Sequence, residues 1–304
     1  MAFLAHLNPF ARNPPADISY PPQPPFSPTL DPAAAKLALH TPFQPHSLLT
    51  LTLLPPHPAP KTQPPAPVAV CVQPTRPRHP PSTTSSTASA ITTTTTLFIT
   101  HNLTRTVAVA LDPTRAVGDP ARYVLKLYYT TPASLWRRAH ELDAYAHLAC
   151  LQGAELPWYF GEYAAAGMPR GGCSVVVLEM ILPGTTVAAL MARLGALPVA
   201  VGDAVEDRQA RWERAQMRLR VMELHSSATR AVDRVEACAA GHHGLGGANM
   251  VVSGTGRGGD EEVVVMVGWG SSMVEGVRGG WRGEWWSGVH AAFLEGGGEG
   301  EGWG

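Results

Sequence analysis

The stretch Arg122–His147, RYVLKLYYTTPASLWRRAHELDAYAH, combines the two clearest local patterns in the chain. Its first part, Arg122–Tyr129, is rich in β-branched and aromatic residues and is bounded by turn signals, which predicts a β-strand. Its second part opens a helix predicted over Ala133–Leu151, because apolar side chains recur there every three or four residues. A strand that leads directly into an amphipathic helix therefore forms the centre of the predicted domain.

Other segments extend this pattern in both directions along the chain. The order of strands, one helix, two strands, further helices and a small hairpin predicts an α+β protein. The flanking predictions are strands over Leu97–Leu111, Tyr159–Tyr163 and Ser174–Ile181, a helical region over Asp203–Ala240, and a hairpin of Met250–Ser253 with Glu262–Val267.

Composition and charge exclude several classes of protein. The chain has 304 residues, a hydrophobic fraction of 45% and a formal net charge of −1, so it lacks the basic footprint of a nucleic-acid-binding protein. No apolar stretch approaches the roughly 20 residues that span a bilayer, so no membrane span is predicted. The four cysteines are widely spaced, which argues against a disulfide framework or zinc site and favours an intracellular location, cytoplasmic or nuclear.

The first 95 residues form a leader of unusual composition. Of 29 prolines, 22 lie in residues 1–81, and a Ser/Thr run follows over 81–96. Such sequence has little to bury, so most of the leader is predicted to be disordered, with early strands at 47–54 and 68–73 as exceptions. Proline richness is also typical of ligands of SH3 or WW domains, and that alternative to a plain low-complexity leader stays open.

Two charged residues lie at the centre of the deciding stretch. Lys126 occupies the middle of the predicted strand, and Glu141 follows fifteen residues later in the predicted helix. Further along, a buried strand runs into an acidic residue and Pro-Gly at Val175–Gly184. In this order the segments resemble the protein-kinase superfamily, and in particular the short kinase-like proteins of filamentous fungi.

The resemblance assigns roles to several residues. Lys126 matches the lysine that grips the ATP phosphates and Glu141 the glutamate that orients it. Leu178 matches the residue before the hinge. Main-chain groups of Glu179 and Ile181 match the adenine contacts of that hinge.

The resemblance breaks down where a kinase performs its chemistry. The segment His242–Asn249 matches the kinase catalytic loop, but Gly244 stands at the position of the base. Gly268 stands where a kinase has its principal magnesium-binding aspartate, so Asn249 is the one metal ligand that still matches the family. No glycine-rich phosphate loop precedes Lys126.

These matches imply a fold and a domain plan. The resemblance implies a bilobal protein-kinase-like fold with a truncated C-lobe, preceded by the proline-rich, largely disordered region. Residues 96–290 would form the domain, with an N-lobe to about 181 and a C-lobe over 182–290. Residues 291–304 would be a glycine-rich tail.

The implied function is that of a pseudokinase. Such a domain would be catalytically impaired, would bind ATP with an uncertain need for magnesium, and would act as a binding or regulatory module for an unknown protein partner. One alternative is an active ATP-dependent phosphotransferase with a non-standard site. Another is the product of a decaying gene.

Overall fold

In the described part of the chain, strands and helices alternate after an all-β start, and short strands follow the last helix. The computed structural model describes residues 43–56, 72–86, 92–115, 121–166, 173–197, 205–238, 240–242, 245–254, 262–273, 289 and 293. The strands are β1 (Leu48–Leu53), β2 (Thr84–Ser86), β3 (Thr92–Asn102), β4 (Val107–Leu111), β5 (Arg122–Tyr129), β6 (Tyr159–Ala165), β7 (Cys173–Glu179), β8 (Pro183–Thr186), β9 (Gly241–His242), β10 (Met250–Ser253), β11 (Val263–Met266) and β12 (Ser272–Met273). The helices are α1 (Pro132–His147), α2 (Val187–Ala196) and α3 (Val205–Ala237).

Six of the strands close into a barrel. The sheet order is β1-β6-β7-β5-β4-β3-β2, and β1 also pairs with β3. In that closing pair, which is antiparallel, Leu49 lies opposite Leu97 and Leu51 opposite Thr95. Because β1 pairs with β3 on one side and β6 on the other, the strand edges at this point are satisfied, and β2 remains as a short addition to β3.

A two-residue period separates the inside of the barrel from its outer wall. Along β5, Tyr123, Leu125, Leu127 and Tyr129 belong to the interior cluster, whereas Val124 and Tyr128 belong to a second cluster outside the barrel. The interior cluster is completed by Phe43, Leu49, Leu51, Leu97, Ile99, Ala108, Ala110, Ala121, Tyr163, Ala165, Val175 and Val177.

The predicted bilobal protein-kinase-like fold with a truncated C-lobe is wrong. The structure is a mostly β, closed six-stranded barrel with a few helices. The prediction treated residues 47–54 as a possible early strand, but β1 within this segment is the strand that joins β3 to β6 and closes the sheet. The reason is long-range pairing, which a local hydrophobic pattern does not specify.

Part of the leader belongs to the barrel. Phe43 is buried in the interior cluster, β1 lies within the first predicted early strand, and β2 lies at residues 84–86. Residues 68–71 of the second predicted early strand lie outside the described part of the chain, as do residues 1–42, 57–67 and 87–91.

The helix predicted over Ala133–Leu151 is confirmed as α1 with a short 3-10 turn after it. The Thr131 hydroxyl accepts a hydrogen bond from the Ser134 N–H, and Pro132 occupies the first turn, where its missing N–H costs nothing. Gly153, with φ +77°, ends the segment in a conformation that suits glycine.

The second cluster joins the outer wall of the barrel to α1 and the C-terminal elements. Strands β11, β10 and β8 form a small antiparallel sheet, in which β10 and β11 confirm the predicted hairpin. Helix α3 contributes one apolar face to this cluster, and Val289 and Phe293 are also buried in it. The cluster therefore fills the space behind the wall formed by β5 and β7.

Candidate functional site

Lys126 projects from the outer wall of the barrel. It pairs with Val107 of β4 and Val176 of β7 in the middle of the sheet. Its neighbours Leu125 and Leu127 point into the barrel, so the lysine points the other way, towards α1. The alternation that makes Arg122–Tyr129 a strand thus also determines where the ammonium group lies.

A buried carboxylate on α1 meets this lysine. The Lys126 Nζ forms an ion pair with Glu141 Oε1, and the side chains are 18% and 1% exposed, respectively. The Tyr128 hydroxyl donates to the second oxygen, Oε2. Because Lys126 and Tyr128 are two residues apart on one strand, they reach the same carboxylate from the same side. The strand and the helix are therefore joined through one buried charge.

Tyrosines surround this carboxylate. Burial, followed by the negative charge of Glu141, raises the pKa of both Tyr128 and Tyr145. Burial also raises the pKa of Tyr159, whose ring stacks on that of Tyr145 with centroids 5.5 Å apart. A phenol is neutral at physiological pH even with its ordinary pKa of about 10, so all three tyrosines keep the proton that a hydrogen-bond donor needs.

A second ion pair ties α1 to the barrel close by. Arg138 Nη2 donates to Glu162 Oε2 of β6 at 2.9 Å, and Glu162 is buried. With the Lys126–Glu141 pair, α1 is held against β5 and β6 at two charged positions. This fixes the helix relative to the wall that carries the lysine.

The ammonium of Lys126 retains capacity for another partner. An ammonium has three N–H donors, and within the described residues the Lys126 ammonium donates to Glu141 alone. Its side chain also keeps contact with solvent. A cation that is held in place and still open on one side is suited to an oxyanion such as a phosphate.

The residues of the matched hinge lie at the end of β7. The Glu179 main-chain N–H donates to the Trp158 carbonyl at 2.9 Å, and the Met180 N–H donates to the Arg122 carbonyl at 3.1 Å. Ile181 is buried. The Glu179 carboxylate accepts hydrogen bonds from Arg76 Nε and the Trp158 N–H.

Asn249 and Gly268 lie together in the other half of the molecule. The Val267 N–H donates to the Asn249 carbonyl at 2.9 Å. Gly268 has φ +82°, and a Cβ at this position would be 2.7 Å from Asn249 Oδ1. Buried His242 donates from Nε2 to the Val267 carbonyl at 3.0 Å. The position of Gly244 lies outside the described residues.

The structure thus brings together one expected pair and one that was not predicted. Lys126 meets Glu141, and Asn249 meets Gly268, while the Glu179 carboxylate belongs to a third cluster around Arg76. Among the residues whose positions are described, no three His, Cys, Asp or Glu side chains gather as a metal site.

Two residues of these clusters, Tyr128 and Arg76, escaped the sequence reasoning. The role of Tyr128 could have been found, because a residue two positions from Lys126 on the same strand must share its face. Arg76 had no such signal, because it lies in a proline-rich segment without apolar periodicity. Its guanidinium is held by Ala154, Leu156 and Glu179, which are 78, 80 and 103 positions away in the chain.

Comparison with protein-family models and with curated proteins finds no match to this chain. Of the helices that the structure describes, none combines the length and apolar character that crossing a membrane requires. The functional argument therefore rests on the described residues and on the resemblance stated in the sequence analysis.

Proposed function

We propose that the protein binds a nucleotide through its phosphate groups, transfers no phosphate, and acts as a binding or regulatory module. The observation that carries the proposal is the Lys126–Glu141 ion pair, with Glu141 buried and the lysine still partly in solvent. The resemblance to kinases supplies the ligand class, since the matching lysine of that family binds ATP phosphates.

The geometry favours binding because the cation is already positioned. A free lysine side chain loses up to about 2 kcal/mol of rotamer entropy when it is ordered. Here part of that cost has been met on folding, because Glu141 fixes the ammonium and Tyr128 fixes Glu141. An incoming phosphate therefore meets a preorganised donor.

The chain lacks the carboxylate that kinases use for phosphate transfer at the matching position. Transfer depends on metal ions that neutralise charge between the β- and γ-phosphates, held mainly by a carboxylate. Gly268 offers no carboxylate at the matching position. The nearest described acid in sequence, Glu262, is bound by Arg220, with Nε–Oε2 at 2.5 Å and Nη2–Oε1 at 2.7 Å.

An intracellular location, cytoplasmic or nuclear, and a protein partner belong to the same proposal. The four cysteines are far apart in the sequence and form no Cys-x-x-Cys pair, which supports a reducing compartment. A module without chemistry of its own would act by presenting a surface that changes when the nucleotide binds.

A thermal-shift titration of the full chain with ATP, in EDTA or in excess magnesium, tests the proposal. ATP at 100 times its Kd should add about 2.7 kcal/mol, which raises the melting temperature by about 5–10 °C. The rise should occur in EDTA, should disappear in Lys126→Met, and should persist in Arg122→Met, the matched control on the same strand. Lys126→Arg serves as a charge-preserving variant.

Two results would contradict the proposal. The absence of a shift in wild type under both conditions would remove nucleotide binding. Magnesium-dependent ATP turnover by wild type, lost in Lys126→Met, would instead establish an active phosphotransferase.

A further inference from the structure

The segment 72–80, VQPTRPRHP, lies across the loop that connects α1 to β6. Arg76, within this segment, is only 4% exposed. Its Nη1 donates to the Ala154 carbonyl at 2.6 Å, its Nη2 to the Leu156 carbonyl at 2.6 Å, and its Nε to Glu179 Oε1 at 3.0 Å. All three nitrogens of the guanidinium therefore donate hydrogen bonds to acceptors of this loop and of Glu179.

The main chain of the segment also forms hydrogen bonds with this loop. The N–H groups of Thr75 and Arg76 both donate to the Gly153 carbonyl, at 3.0 and 2.9 Å. The Trp158 Nε1–H donates to the Arg76 carbonyl at 3.1 Å. The guanidinium of Arg78 lies 5.5 Å from the centre of the Trp158 ring, within range of a cation–π interaction.

The receiving loop is held in shape by its own contacts. The Gly153 N–H donates to the Leu156 carbonyl at 2.8 Å, and Gln152 bridges the Tyr145 carbonyl and the Tyr159 N–H. The Trp158 indole packs so closely on Gly153 that a Cβ there would lie 2.5 Å from it. The acceptors for Arg76 are thus arranged by residues that do not belong to segment 72–80.

The bound segment has the character of a peptide ligand. It contains Pro74, Pro77 and Pro80, it belongs to no strand or helix, and Arg76 is its deepest side chain. Prolines restrict the free peptide to extended forms, which lowers the entropy lost on docking. Three acceptors around one planar guanidinium select arginine over lysine.

We propose that the loop 152–158 and Glu179 form a binding site for an extended, proline-flanked arginine peptide. When its own segment 72–80 is released, this site binds the same segment of a second copy of the chain. In this structure the site is filled in cis. Covalent attachment gives the cis segment an effective concentration on the order of millimolar, so a trans peptide competes poorly until the cis arginine is removed. The inference does not depend on nucleotide binding.

The first test uses the full chain with Arg76→Ala and a fluorescent peptide of residues 72–80. The variant should melt about 5–10 °C lower than wild type and should bind the peptide, whereas wild type and the exposed control Arg105→Ala should bind it at least about tenfold more weakly. A peptide with lysine at position 76 should lose about tenfold in affinity, because it cannot reach all three acceptors.

Small guanidinium and ammonium compounds test the arginine site without the rest of the peptide. Ethylguanidinium at millimolar concentration should raise the melting temperature of Arg76→Ala, ethylammonium should not, and wild type should respond to neither. If Arg76→Ala does not fold, Arg76→Lys keeps the charge and replaces it in the peptide titration. A folded variant that binds no peptide and gains no stability from ethylguanidinium would overturn the site.

The second copy is tested by complementation. Arg76→Ala has an intact site and a defective segment, while Glu179→Ala has the reverse. Mixing the two should give a one-to-one complex in sedimentation or native mass spectrometry that neither forms alone. Two folded variants that stay separate would overturn the assignment to a second copy.

Discussion

Replacing Gly268 by alanine should destabilise the protein measurably. The residue has φ +82°, a conformation that costs an L-residue about 1–2 kcal/mol. The new Cβ would also lie 2.7 Å from Asn249 Oδ1, so the asparagine must leave its rotamer at a further cost of about 1 kcal/mol. The sum of about 2–3 kcal/mol corresponds to a melting temperature lowered by about 5–10 °C.

Gly270→Ala provides the matched control, because its Cβ would be 3.5 Å from the Arg137 Cβ, an ordinary contact, and its backbone needs no glycine. That variant should stay within about 0.5 kcal/mol of wild type in chemical denaturation. Gly268→Asp carries the same Cβ, so restoring a kinase-type aspartate should also reduce stability. Equal stability of wild type and Gly268→Ala would refute the reasoning.

Three further predictions concern the barrel and its outer wall. Burial alone would raise the pKa of Asp112, but hydrogen bonds from Thr114 and Ser82 outweigh it and lower the pKa below 3.8. Asp112→Asn should therefore be less stable than wild type at pH 7. In urea unfolding, this difference in stability should shrink as the pH falls below 3.8. Leu125→Ala should cost about 2–5 kcal/mol in the same assay, and Leu103→Ala, 56% exposed, less than about 0.5 kcal/mol. Tyr128→Phe should cost about 1.5–3 kcal/mol, since the buried carboxylate loses a donor; an unchanged stability would show that this hydrogen bond contributes nothing.

Local patterns predicted the elements well. The apolar spacing of Ala133–Leu151 identified α1, and the alternation around Lys126 identified β5, because each depends on residues that are neighbours in sequence. The contact of Lys126 with Glu141 was expected from the resemblance to kinases and not from the local patterns. The contact of Asn249 with Gly268 was not predicted from the sequence.

The closure of the barrel could not be obtained in the same way. Thr50 of β1 lies opposite Thr96 of β3, 46 residues later in the chain. The sequence of neither segment identifies the other as its partner strand. The burial of Arg76 is similar, because its acceptors Ala154 and Leu156 are main-chain groups and leave no trace in the side-chain pattern. Contacts made by backbone atoms and by distant strands are the part that sequence reasoning missed.

Isothermal titration calorimetry of the full chain with ATP in EDTA tests the central claim most directly. The proposal predicts saturable one-to-one binding without magnesium, at least about tenfold weaker in Lys126→Met and unchanged in Arg122→Met. Absence of heat and of binding in wild type, with the protein shown to be folded, would contradict it.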